Sequence, residues 1–131
     1  MRDTWKPIGY TSVSPYLVTE KAEEVISFLE GTFAATLVQR LDRPDGSIMH
    51  AEVRIDDSVV MLGQAAEGWP GVPCHIHLYV PEVDTVYAAA LQNGGKSVQE
   101  PVQRGDPDRR GGVMDPGGNT WWISTRVGGA A

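Results

Sequence analysis

The 131-residue chain is poor in several things: one cysteine (Cys74), three histidines, two phenylalanines and no excess of positive charge. A lone cysteine excludes an intrachain disulfide, so packing and hydrogen bonds must hold the fold. Eleven basic against 17 acidic side chains leave a net charge of −6. The attraction that draws proteins onto phosphate backbones or anionic lipid is thus missing, and neither nucleic acid nor a membrane is an expected partner. No apolar run approaches the roughly 20 residues that a membrane helix needs. The stretch Met1-Arg2-Asp3-Thr4-Trp5-Lys6-Pro7 lacks the apolar core of a secretory signal, so a cytoplasmic protein is expected. What remains, 41% hydrophobic and 21% charged, is the composition of one soluble globular domain spanning residues 1–131.

Inside that domain the pattern of elements occurs twice. A shift of 61 residues lays Ser14-Pro15-Tyr16-Leu17-Val18 on His75-Ile76-His77-Leu78-Tyr79. The first unit, 11–64, reads as a strand (13–18), then a helix with its apolar stripe Ala22, Val25, Ile26 and Leu29 ended by Gly31. Strands at 36–41, 47–55 and 58–64 follow, separated by Arg43-Pro44-Asp45-Gly46 and Asp56-Asp57. A Gly/Pro-rich linker, 65–73, leads to the second unit, 74–126. There a strand (75–80) precedes Pro81 and a helix with the stripe Val83, Val86, Tyr87, Ala90 and Leu91, stopped at Gly94-Gly95. Strands at 96–101, 111–115 and 120–125 complete it, and the long loop 102–110, with Arg104, Arg109 and Arg110, is the expected mobile segment. The fold class is therefore α+β: two βαβββ modules forming a cupped mixed sheet with helices on the outer face. Neither module has enough surface to bury alone.

Strand side chains alternate between faces, so parity sorts them into helix side and cup side. Ile76, Leu78 and Val80 form one set, which turns His75, His77 and Tyr79 to the cup. Met49, Ala51, Val53 and Ile55 likewise turn His50, Glu52 and Arg54 outward. The same rule places Ser12, Ser14 and Tyr16 on the cup side of the first strand, and Trp122 and Ser124 on that of the last. An aromatic lining with a few polar groups suits an organic molecule held by stacking and oriented by hydrogen bonds. Two plainer readings stand beside it: an open sheet face is polar in any protein, and His50, Glu52 and Arg54 serve equally as solvated or interface groups. A divalent ion at His50, Glu52, His75 and His77 is the remaining alternative, since His-x-His on one strand face can give two ligands. Cys74 has no base beside it in the sequence and reads as a spectator.

These two modules, with Ile48-Met49-His50-Ala51-Glu52, His77-Leu78-Tyr79-Val80 and Asp115-Pro116-Gly117-Gly118-Asn119-Thr120-Trp121, resemble the vicinal oxygen chelate superfamily, specifically its glyoxalase/bleomycin-resistance, PhnB-like group. The resemblance runs from about Thr11 to Arg126. It implies a homodimer with the site inside the cup. It also implies that metal-dependent members would take ligands at the positions of Ser14, Met61, His75 and Trp122; of these, only His75 can bind a metal. No metal and no cofactor is therefore expected. The implied function is metal-independent capture of an aromatic or secondary-metabolite ligand, with antibiotic resistance as one such role. The residues expected to line the site are Ser14, Tyr16, His50, Glu52, Met61, His75, His77, Tyr79, Arg109 and Trp122. The alternative is an enzyme of the same superfamily, a lyase, isomerase or dioxygenase-like catalyst acting on a small organic substrate, with or without a divalent metal.

Overall fold

A computed structural model describes residues 5–128. Its elements run β1 (Tyr16–Thr19), α1 (Ala22–Phe33), β2 (Thr36–Asp42), β3 (Ile48–Ile55), β4 (Ser58–Gln64), β5 (His75–Tyr79), α2 (Val83–Gln92), β6 (Lys96–Gln103), β7 (Asp108–Met114) and β8 (Thr120–Arg126). They make two four-stranded sheets of identical topology, β1-β4-β3-β2 and β5-β8-β7-β6. In each, the first strand lies parallel to the last and the remaining pairs are antiparallel, the two βαβββ modules of an α+β fold. The internal repeat holds at the level of register: β1 pairs Tyr16 with Met61 and Leu17 with Leu62, while β5 pairs His77 with Trp122 and Leu78 with Ile123. Each residue of the first set lies 61 positions before its counterpart.

The modules share one core. Leu17, Val25, Phe28, Leu29 and Leu62 from the first and Val83, Ala90, Val113, Trp121 and Ile123 from the second belong to a single buried cluster. The helices pack on each other, and their contact explains a departure from the sequence expectation. Gly31 does not end α1; the helix continues to Phe33 and is closed by Ala34 in the left-handed conformation (φ 55°), with the Ala35 amide donating to the Leu29 carbonyl. Gly31 is small for another reason: a Cβ there would lie 2.0 Å from Oδ1 of Asn93, the residue that closes α2. Leu91, expected in the α2 stripe, is 40% exposed.

A second tight approach joins the modules at the turn between β7 and β8. A Cβ on Gly117 would stand 2.3 Å from Oγ1 of Thr19 in β1. The turn itself is organised by the buried Asp115 carboxylate, which accepts hydrogen bonds from the amides of Gly117 and Asn119, the Asn119 side chain and the Trp121 indole. Asn119 in turn accepts the Cys74 amide, tying the linker to the turn. The Asp-Pro-x-Gly-Asn-x-Trp motif is thus a structural clamp.

The expected long loop 102–110 is mostly strand. Strands β6 and β7 extend to Gln103 and from Asp108, pairing Val102 with Arg110 and Gln103 with Arg109. The short connection is held by Asp106, whose carboxylate accepts the Asp108 amide, and by the Pro107 carbonyl, which accepts the amides of Val127 and Gly128. No helix among the described residues is long and apolar enough to cross a membrane.

Candidate functional site

The cup-side residues form two clusters, one per sheet, and no hydrogen bond or ring contact joins them among the described residues. On the first sheet, register puts Tyr16 beside Met61 and Met61 beside Glu52, with His50 on the same face. The Tyr16 hydroxyl lies 2.9 Å from His50 Nδ1, and His50 Nε2 lies 2.8 Å from Glu52 Oε2. The other Glu52 oxygen accepts the hydroxyl of Tyr10, which the segment before β1 folds across the sheet. Arg54 fastens that segment by donating to the Gly9 carbonyl and lying over the Tyr10 ring. Glu52 is 7% exposed. Burial pushes its carboxyl up, but the hydrogen bonds from His50 and Tyr10 outweigh it and hold the group below the usual carboxylate range.

The proton positions follow from this. An ionised carboxylate only accepts, so His50 Nε2 carries a hydrogen. In the neutral ring Nδ1 is then a bare acceptor, and the Tyr16 hydroxyl donates to it. Burial, helped by Glu52 and opposed by Arg43, raises the Tyr16 phenol above its ordinary value and keeps it protonated. Trp69, from the linker, packs edge-on against Tyr16 with centroids 5.6 Å apart. Ser14 lies just before β1 and lines a groove of about 520 Å³ with Trp5, Tyr10, Gln39, Glu52 and Met61.

On the second sheet the Trp122 indole N–H donates to His75 Nδ1 at 3.0 Å. Arg110 Nε donates to Ser124 Oγ at 2.9 Å, which leaves the serine proton for His77 Nε2, also at 2.9 Å. Burial first, then the Arg110 charge, pushes His77 below its ordinary value, against the opposing pull of Asp108 and Asp106. Tyr79 packs edge-on against His77 and donates to Asp108 Oδ2, to which Arg110 also donates. That bond raises the Tyr79 phenol. Arg109 is absent from this face: the parity of β7 turns it to the helix side, where it pairs with Asp84 of α2, and Arg110 takes the position toward the cup.

Sequence pattern therefore marked Tyr16, His50, Glu52, His75, His77, Tyr79 and Trp122 but missed Tyr10, Trp69, Asp108 and Arg110. Tyr10 and Trp69 lie in irregular segments where parity has no meaning. Asp108 and Arg110 fell in a stretch read as loop, and only the period-two rule applied from Gly111 backwards would have placed them.

Two stacked βαβββ modules with open sheet faces lined by aromatic rings and histidines define a class, and the comparisons place the chain in it. The family model for the Glyoxalase/Bleomycin resistance protein/Dioxygenase superfamily matches residues 8–123, and the chain belongs to that superfamily. It is 33% identical over 127 residues to an uncharacterised protein of Mycobacterium bovis, spanning 88% of this chain and 84% of the relative. Among solved structures it is similar to TioX from Micromonospora sp. ML1, with a TM-score of 0.76, 19% identity, and coverage of 89% of this chain and 99% of TioX. It is also similar to a PhnB protein from Bacillus cereus, with a TM-score of 0.66, 18% identity, and coverage of 88% and 99%.

No group of three His, Cys, Asp or Glu side chains that could hold a metal ion comes together among the described residues. His50 and Glu52 stand on β3, and His75 and His77 on β5 of the other sheet, so the four-residue ion site is not assembled within the chain. His75 accepts the Trp122 proton on Nδ1 and so carries its own hydrogen on Nε2. A ligating imidazole has the opposite need, donating from one nitrogen to free the other for the ion.

Proposed function

We propose that the protein is a cytoplasmic, metal-independent binding protein that captures a planar aromatic molecule, a secondary metabolite or antibiotic, on its open sheet faces. The observation that carries this reading is the pairing on each face of part-exposed aromatic rings with polar groups whose hydrogens are already oriented: Tyr16 and Trp69 with His50, and Tyr79 and Trp122 with His75 and His77. Rings stack on the ligand, and the fixed donors and acceptors orient it. A homodimer completes the site. Both β1 and β5 lie at a sheet edge. Along the free edge of β1 the linker makes one backbone bridge, the Val72 amide donating to the Val18 carbonyl. Unpaired edges on the strands that bear the site residues favour the first module of one copy facing the second module of its partner.

Tryptophan fluorescence titrated with a panel of planar drugs and metabolites tests the binding, since Trp69 and Trp122 both lie on the open faces. Saturable quenching with a Kd below millimolar, lost in Trp122→Ala, is expected. A panel in which nothing binds below millimolar would remove the reading. Light scattering should give twice the chain mass, and a monomer would remove the shared site.

A further inference from the structure

We propose that Tyr16, His50 and Glu52 form a proton-accepting relay that removes a hydrogen from a weakly acidic O–H or C–H group of the molecule held on the first sheet. The inference rests on the binding reading only in needing a molecule there. Three linked hydrogen bonds carry it: Tyr16 Oη to His50 Nδ1 at 2.9 Å, His50 Nε2 to Glu52 Oε2 at 2.8 Å, and Tyr10 Oη donating to Glu52 Oε1. Both ends are set for transfer in one direction. Glu52 is buried and ionised, which fixes the Nε2–H tautomer and will stabilise an imidazolium. Tyr16 is 41% exposed while Glu52 is buried, so Tyr16 is the member of the relay that meets a ligand.

The step balances without a co-reactant. The ligand X–H bond breaks with its electron pair staying on X, and the proton passes to Tyr16 Oη as the phenol's own proton passes to His50 Nδ1. The phenol is neutral before and after, which suits a group that stays protonated. The positive charge ends on the His50 ring, bonded through Nε2–H to the Glu52 carboxylate. A later return of the proton to a different ligand atom makes the reaction an isomerisation or elimination. The charged groups around the relay are few: Arg43 acts on Tyr16, Arg54 lies over Tyr10, and the β2 partners of His50 and Glu52 are Leu41 and Gln39.

The probe is 5-nitrobenzisoxazole, in which removal of the ring C–H breaks the N–O bond and releases a coloured cyanonitrophenolate. Wild-type protein should turn it over. His50→Gln and Tyr16→Phe should each lose about a hundredfold. Quenching of Trp69 by the probe should survive in both variants. Glu52→Gln, a positioning change, should alter the pH profile and allow the other His50 tautomer. Quenching without turnover overturns the relay and leaves the binding reading standing; absence of quenching by the probe and by the whole planar panel overturns both. Ligand-free protein gives an independent check by ¹⁵N NMR of the histidines. A hydrogen on His50 Nδ1 instead of Nε2 overturns the relay whatever binds.

Discussion

Trp122 lies parallel to His75, with ring planes 8° apart, and donates its indole hydrogen to the imidazole Nδ1 at 3.0 Å. Indole nitrogen is only a donor, so Nδ1 must accept and Nε2 keeps its hydrogen. Trp122 therefore holds the His75 imidazole in the Nε2–H tautomer, with Nδ1 committed to the indole. Long-range ¹H–¹⁵N spectra should show His75 protonated at Nε2, and Trp122→Phe should release it to a tautomer mixture. Stoichiometric zinc should leave the wild-type His75 signals unmoved; a zinc-induced shift there contradicts the account.

Asp115 holds the turn before β8 with bonds to two amides, an asparagine and an indole, at 3% exposure. Asp115→Ala leaves those donors buried without a partner. A stability loss of about 3 kcal/mol is expected, read as a lower urea midpoint. Asp115→Asn, which keeps one acceptor, should lose less.

Gly117 tests the packing of one module on the other. An added Cβ meets Thr19 Oγ1 at 2.3 Å and Val25 Cγ2 at 2.8 Å. Gly117→Ala should cost about 1–3 kcal/mol by overpacking. Trimming the partner in Gly117→Ala/Thr19→Ser does not restore it fully, because Oγ1 remains within reach as the serine hydroxyl. A thermal midpoint unchanged from wild type in the single variant would show that the modules separate more freely than this contact allows.

Acid should weaken the fold in two steps. His77 has a folded pKa below its ordinary 6.5, through burial and Arg110, so the unfolded chain protonates first. Its contribution is whole above 6.5 and is lost as pH falls through the folded value. Glu52 is depressed below 4.5, so its contribution is whole above that value and is lost at still lower pH. Thermal midpoints followed against pH should show both declines, with His77→Gln flattening the upper and Glu52→Gln the lower.

Cys74 is half-buried and its thiol is pushed up by burial and by the Asp115 charge. Iodoacetamide should alkylate it several-fold more slowly than free cysteine at mildly alkaline pH, and unfolding in urea should abolish the difference. Rapid alkylation of folded protein would mark it as reactive after all.

Much of the architecture was readable in the chain. Period-two alternation in β1, β3, β5 and β8 and the helical stripes of α1 and α2 named both the elements and the faces that pack, because apolar burial acts on every residue of a periodic element. The 61-residue repeat reappeared as equal strand registers. The misses share a cause. Gly31 looked like a helix stop, yet it lies inside α1 and is glycine because Asn93 of the other module occupies the space a side chain would fill. Arg109 was taken for a ligand-facing residue, since without knowing that β7 begins at Asp108 its parity could not be assigned.

Local sequence thus determined the two βαβββ modules and the composition of their open faces, both properties of residue type and near-neighbour spacing. Tertiary structure alone decided that His50 and Glu52 lie on one sheet and His75 and His77 on the other. It also brought Tyr10 onto Glu52, 42 residues away, and Trp69 onto Tyr16. Those contacts depend on how irregular segments cross a finished sheet, and no periodicity encodes them. With the bonds of His50 to Glu52 and Tyr16, the Tyr10 contact completes one oriented hydrogen-bond chain over the first sheet.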